Sequence, residues 1–185
     1  MRDLYARLAD DFGMQQRQIE YYARFLREAG LLDAGQPGRG GRTPPVTPRA
    51  AAVFLVGILG SNTAVGAPDA IKKLKQTQEE AIGEDGKQTA EAVSFVDAVA
   101  NILELMSELK TAKQRRKVVS RIGVTSDPGG LTGFTSTGSG KIEYVKFYRS
   151  ATAEKVMNKE GLLRETSVGS DILTKIADML STAES

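Results

Sequence analysis

Among its 185 residues the chain has no cysteine, no histidine and no tryptophan. Those absences exclude disulfide scaffolds, zinc fingers, thiolate redox centres, Cys nucleophiles and His-based triads. Any catalysis would have to come from carboxylates, Lys, Tyr or Ser. Aromatic residues amount to only 6% of the chain, which leaves little with which to build an aromatic cage for a sugar or cofactor. No run of about 18 apolar residues is present, so no membrane helix is expected. The opening MRDLYARLADDFG carries acids at once and lacks the basic-then-apolar order of a secretory signal. Together with the missing cysteines, this predicts a cytoplasmic chain. A net charge of +2 is too small to name a partner, so charge has to be read locally.

Glycine, proline and hydrophobic spacing divide what is there into four zones. Residues 1 to 33 read as two helices separated by Gly13, with Gly30 ending the second. DAGQPGRGGRTPPVTPR follows, a loop with room for short strands, because Gly, Pro and Arg in that density exclude regular helix. Thr47 then caps a third helix with Pro48 at its first position, and AAAVFLVGILG is apolar on every face, so this helix should be buried. After SNTAVGAP a more polar helix is expected from about Pro68 to Ile82. A long amphipathic helix is expected from about Lys87 to Lys113, with Phe95, Val99, Ile102, Met106 and Leu109 on one stripe. That stripe fits either intrachain packing or a dimer seam. KVVSRIGVTS, LTGFTS and KIEYVKFYRS, separated by DPGG and TGSG, predict a small antiparallel meander, and a helix beginning after Gly169 and Ser170 should cover one of its faces. The fold class is thus α+β, mainly helical.

The N-terminal segment LADDFGMQQRQIEYYARFLREAGLL holds the sharpest pattern. Ala9, Gly13 and Ile19 have the spacing of a helix-turn-helix: a small residue lets two helices approach, Gly permits the turn, and a β-branched residue anchors the second helix. On that second helix Ile19, Tyr22, Ala23 and Leu26 share one face. Arg17, Glu20, Tyr21 and Arg24 share the other, with Gln15 and Gln16 at the tip. Gln pairs well with adenine, Arg with guanine or phosphate, and a carboxylate accepts from cytosine, so this face suits selective contact with base edges.

With LREAGLL, a turn and then GQPGRGGR, the first 50 or so residues resemble the winged helix-turn-helix regulators. The resemblance implies a recognition helix in a major groove and a wing whose basic tip, here Arg39 and Arg42, enters a minor groove. Arginine is favoured by the negative potential of a narrow minor groove, and Gly lets the backbone come close. The chain departs from that family in opening with the helix pair, where winged domains usually carry a preceding helix; the buried helix from Pro48 is the expected substitute. IEYYARF and AGLL also resemble the MerR family, although Glu20 stands where that family has a basic residue and its wing pattern is missing.

Other motifs have plainer readings. KTAKQRRK is expected to sit over the negative end of its own helix rather than to hold phosphate. GFTSTGSGKI lacks the first Gly and the final Ser or Thr of a phosphate-binding loop and reads as a hairpin. Asp10 with Asp11, and Glu79 with Glu80, point about 100° apart on a helix and read as solvated surface. The expectation is therefore a sequence-specific double-stranded-DNA-binding protein, not an enzyme and without a cofactor. It would be a bacterial or phage-type transcription regulator acting as a homodimer near the nucleoid. Residues 1–61 would bind DNA, and residues 68–185 would serve oligomerisation or partner binding. Two alternatives stand beside it. One is a ring-forming DNA-packaging recognition subunit similar in architecture to small terminase subunits. The other is a ligand sensor or enzyme in which Tyr144, Lys146 and Tyr148 line a pocket on the meander.

Overall fold

The computed structural model of the chain describes residues 2–33, 46–82, 88–89, 93–127, 130–138, 143–150 and 164–183. These form helices α1 (Arg2–Phe12), α2 (Gln16–Glu28), α3 (Pro48–Gly60), α4 (Ala67–Lys75), α5 (Phe95–Glu108), α6 (Ala112–Val118) and α7 (Ser170–Ala183). The strands are β1 (Thr77–Ile82), β2 (Gln88–Thr89), β3 (Arg121–Asp127), β4 (Gly130–Gly138), β5 (Glu143–Ser150) and β6 (Arg164–Gly169). Among the described residues the strands make one antiparallel sheet in the order β2-β1-β5-β4-β3-β6.

At the centre lies α3. The Thr47 hydroxyl accepts from the Ala50 N–H at 3.1 Å and Pro48 fills the first turn, so the helix starts where its sequence signals it. Every residue from Ala51 to Leu59 is buried, as a helix without a polar face requires. It packs against α2, α4, α5 and β3. A Cβ on Gly60 would lie 3.0 Å from the Ala70 Cβ, so the α3–α4 crossing depends on that hydrogen. One contiguous apolar cluster runs from Tyr5 in α1 through α3 and α5 to Leu180 in α7.

Ile122, Val124, Tyr148 and Val168 carry that cluster onto the helix-covered face of the sheet. Gly133 on the same face makes room for the Phe95 ring, which any Cβ there would strike. Phe95 in turn tilts against Tyr148 with 5.3 Å between centroids. On the opposite face Phe134 lies over Gly123, its neighbour in register, and beneath the Arg121 guanidinium at 5.2 Å.

Three expectations about the middle of the chain are corrected. The helix from Pro68 stops at Lys75, and TQEEAI forms β1 because it pairs with β5 in register Thr77↔Ser150 to Glu80↔Phe147. Local propensity there yields to a sheet partner more than sixty residues away. The long helix begins at Phe95 instead of near Lys87, because Ser94 caps it by accepting from the Asp97 N–H at 3.2 Å. KTAKQRRK is not its last turn: α5 ends at Glu108, and Thr111 starts the separate α6 with a capping box to Gln114. The last turn of α6 then holds Arg115, Arg116 and Lys117 at its negative end, as expected of the segment. The apolar stripe of α5 is used within the chain, with Phe95, Val99, Leu103 and Met106 buried and α3 and α7 as its neighbours. The meander β3-β4-β5 is as expected, and the GFTSTGSGKI segment enters an antiparallel pair at Gly138↔Glu143. Strands β1, β2 and β6 are additions to it.

Because Gly133 and the Phe95 ring occupy one space, Gly133→Ala should lower stability by about 1–3 kcal/mol. Phe95→Leu in the same chain should recover part of that loss, giving a non-zero coupling in a double-mutant cycle of urea unfolding midpoints. Additive losses would mean that the ring does not rest on Gly133.

Candidate nucleic-acid interface

The α1–α2 pair is set by its two glycines. Gly13 adopts φ 61° and Gly30 φ 67°, a left-handed conformation that other residues reach only with strain. At the first, Met14 N–H donates to Ala9 C=O at 2.8 Å and Gly13 N–H to Asp10 C=O at 3.2 Å. At the second, Leu31 N–H donates to Leu26 C=O at 2.9 Å and Gly30 N–H to Arg27 C=O at 2.8 Å. Both are Schellman closures, which satisfy terminal carbonyls and turn the chain sharply. The entry to α2 is held by the Gln18 side chain, which accepts from the Gln15 N–H at 2.9 Å.

The inner side of α2 is anchored on α1 and α3. Ile19, Tyr22, Ala23 and Leu26 are buried, and the Tyr22 hydroxyl donates to the Ser61 carbonyl at the end of α3 at 2.8 Å. Leu26 lies 3.4 Å from where a Cβ on Gly57 would sit, so α2 and α3 approach closely. Tyr5 of α1 stacks on Phe54 of α3 at 5.3 Å, and its hydroxyl accepts from the Arg27 guanidinium. Burial raises the Tyr5 phenol above its ordinary value, and the Arg27 charge offsets part of that rise.

The outer side is open. Gln15, Gln16, Arg17, Glu20, Tyr21 and Arg24 are all exposed, Tyr21 at 41%. They are ordered among themselves by pairs one turn apart. Gln16 Nε2 donates to Glu20 Oε1 at 3.1 Å, Arg17 Nε donates to the Tyr21 hydroxyl at 3.1 Å, and Arg24 Nε donates to Glu28 Oε1 at 2.7 Å. The Arg17 guanidinium also lies over the Tyr21 ring, 5.6 Å from its centroid. Such exposed pairs are each worth only a few tenths of a kcal/mol, so a ligand with better acceptors can displace them. Six of the eight expected contact residues therefore share one solvent-facing stripe. Arg39 and Arg42, and the wing that would carry them, lie outside the described residues.

Of the other candidates, Tyr148 is packed against Phe95 and only 2% exposed, so its ring is in the core and not open to solvent. The side chains of Tyr144 and Lys146 lie outside those described. Asp11 is not solvated surface as expected: its carboxylate is largely covered and pairs with Lys175 of α7. Glu79 and Glu80 lie on β1 and not on a helix. Within α6, Arg115 turns inward, donating to the Leu109 carbonyl at 2.9 Å and pairing with Asp178. The signals missed in the sequence were Ser94-x-x-Asp97 and Thr111-x-x-Gln114, both helix-start patterns. Among the described residues no cluster of acidic side chains could hold a metal ion, and no helix is long and apolar enough to cross a membrane. No protein-family model, curated protein or solved structure matches the chain.

Since the folded state favours the neutral Tyr5 phenol, its contribution to stability is complete below the ordinary phenol value of 10.0 and is lost as pH rises through the higher folded value. Unfolding free energy should therefore fall above about pH 10, and Tyr5→Phe should flatten that part of the profile. An unchanged alkaline slope in the variant would show that Tyr5 is not the group responsible.

Proposed function

We propose that the chain is a sequence-specific double-stranded-DNA-binding protein of the helix-turn-helix type, with α2 as its recognition helix and a transcription regulator as its role. The observation that carries this reading is the division of α2 itself. One side is fixed to α1 and α3 by Ile19, Tyr22, Ala23 and Leu26, while Gln15, Gln16, Arg17, Glu20, Tyr21 and Arg24 are exposed to solvent and not covered by any other described element. A rigid helix with an open polar face is what entry into a major groove about 12 Å wide demands. Gln15, Gln16 and Arg17 stand at the first turn, where recognition helices meet base edges. Arg24, two turns further on, is placed for phosphate. In this reading α3 supplies the support that a preceding helix gives in winged domains, and Arg39 and Arg42 form the minor-groove element.

The protein would act without chemistry, as a symmetric dimer reading a two-fold site. Selection of bound fragments from randomised duplexes should return a common sequence. Arg17→Ala should then relax preference at one base position at a cost of about 1–3 kcal/mol. Arg24→Ala should instead weaken binding evenly and lower the salt slope by about one. A selection that returns no preference would overturn the proposal. Mass in solution separates the dimer, near twice 19.9 kDa, from a packaging ring several times larger.

A further inference from the structure

We infer that α6 is a second, sequence-independent contact to the backbone of the same duplex, an inference that rests on the reading of α2 given above. The segment Lys110–Lys117 holds five cations and no acid. Two of the five are already used: Arg115 pairs with Asp178 and Arg116 with Asp171, the latter at 2.9 Å. Lys110, Lys113 and Lys117 are exposed and make no ion pair with any described residue. Helix stability accounts for Lys117, in the last turn of α6, but not for Lys113. Lysine is favoured at a helix C-terminus, but Lys113 is the second residue of α6, at the positive end of the dipole, where a cation is disfavoured.

The ion pairs on α7 tie that basic helix to the end of α1. Asp171, Lys175 and Asp178 are spaced by four and three residues and so lie along one stripe of the helix. Asp171 and Asp178 hold α6, while Lys175 holds Asp11, near the end of α1. The span from Asp171 to Asp178 is about 10 Å at 1.5 Å per residue. The basic helix and the end of α1 are thereby anchored side by side on α7. Asp11 is four residues before Gln15, a chain reach of at most about 14 Å. When the first turn of α2 enters a major groove, the phosphates bordering that groove lie within about the groove's own width. In this inference the cations that meet them are Lys113 and Lys117, one turn apart on α6.

The test uses the full chain and a short fluorescent duplex of randomised sequence, titrated between about 50 and 200 mM KCl. Lys113→Ala with Lys117→Ala should lower the slope of log affinity against log salt by about two, at roughly 0.9 for each phosphate released. The base preference set by α2 should stay unchanged, and Lys113→Arg with Lys117→Arg should keep the wild-type slope. Both lysines are exposed, and an unaltered thermal melt confirms that the fold is kept. An unchanged slope in the alanine variant, with the wild type binding normally, overturns the role of α6 alone. Failure of the wild type to bind duplex DNA overturns the reading of α2 and this inference with it.

Discussion

A helix with no polar side has no stable place at a surface, and the arrangement of this protein depends on where α3 can hide. Burying its side chains gives about 1.5–3 kcal/mol for each large one, but only if apolar partners surround it. Leu26 and Tyr22 of α2 close one side, Ala67, Ala70 and Leu74 of α4 another, and α5 and β3 the rest. The terminal helix pair and the sheet therefore share one core, and α2 is held by the very helix that the sheet also needs. Its inner residues are fixed by that demand, and its polar residues stay exposed, where water satisfies them.

Charge does the positioning where apolar contact runs out. Lys175 and Asp11 join α7 to α1, and Arg115 and Arg116 join α6 to Asp178 and Asp171 on the same stripe. Arg115 is almost wholly buried yet satisfied by the Leu109 carbonyl as well as by Asp178. A buried cation left without such partners would be costly, so this site tolerates little rearrangement. The exposed pairs along α2 are of the opposite kind. They cost little to break, which leaves the face adaptable while the buried side of the helix stays anchored.

Much of this was legible before any coordinates. Gly13, Gly30, Thr47 with Pro48, and the spacing Ala9, Gly13, Ile19 announce α1, α2 and α3 through backbone sterics and capping, which act over a few residues. The six-residue polar stripe of α2 follows from helical periodicity in the same way. The interruptions at Ser94 and Thr111 were also written locally, as capping signals, but a continuous apolar stripe from Phe95 to Leu109 and a run of helix-favouring residues masked them.

The sequence by itself determined the terminal helix pair, the buried central helix, the β-meander and the face of α2 that is polar, because each depends on neighbours within a turn or a hairpin. Only the tertiary structure decided that Thr77–Ile82 is a strand, that Phe95 rests on Gly133, that the stripe of α5 is spent inside the chain, and that α6 lies beside α7 opposite Asp171 and Asp178. Those outcomes depend on partners distant in sequence. Hydrophobic burial is non-directional, so an apolar or charged stripe states that it needs a partner without naming which one; packing and register make that choice.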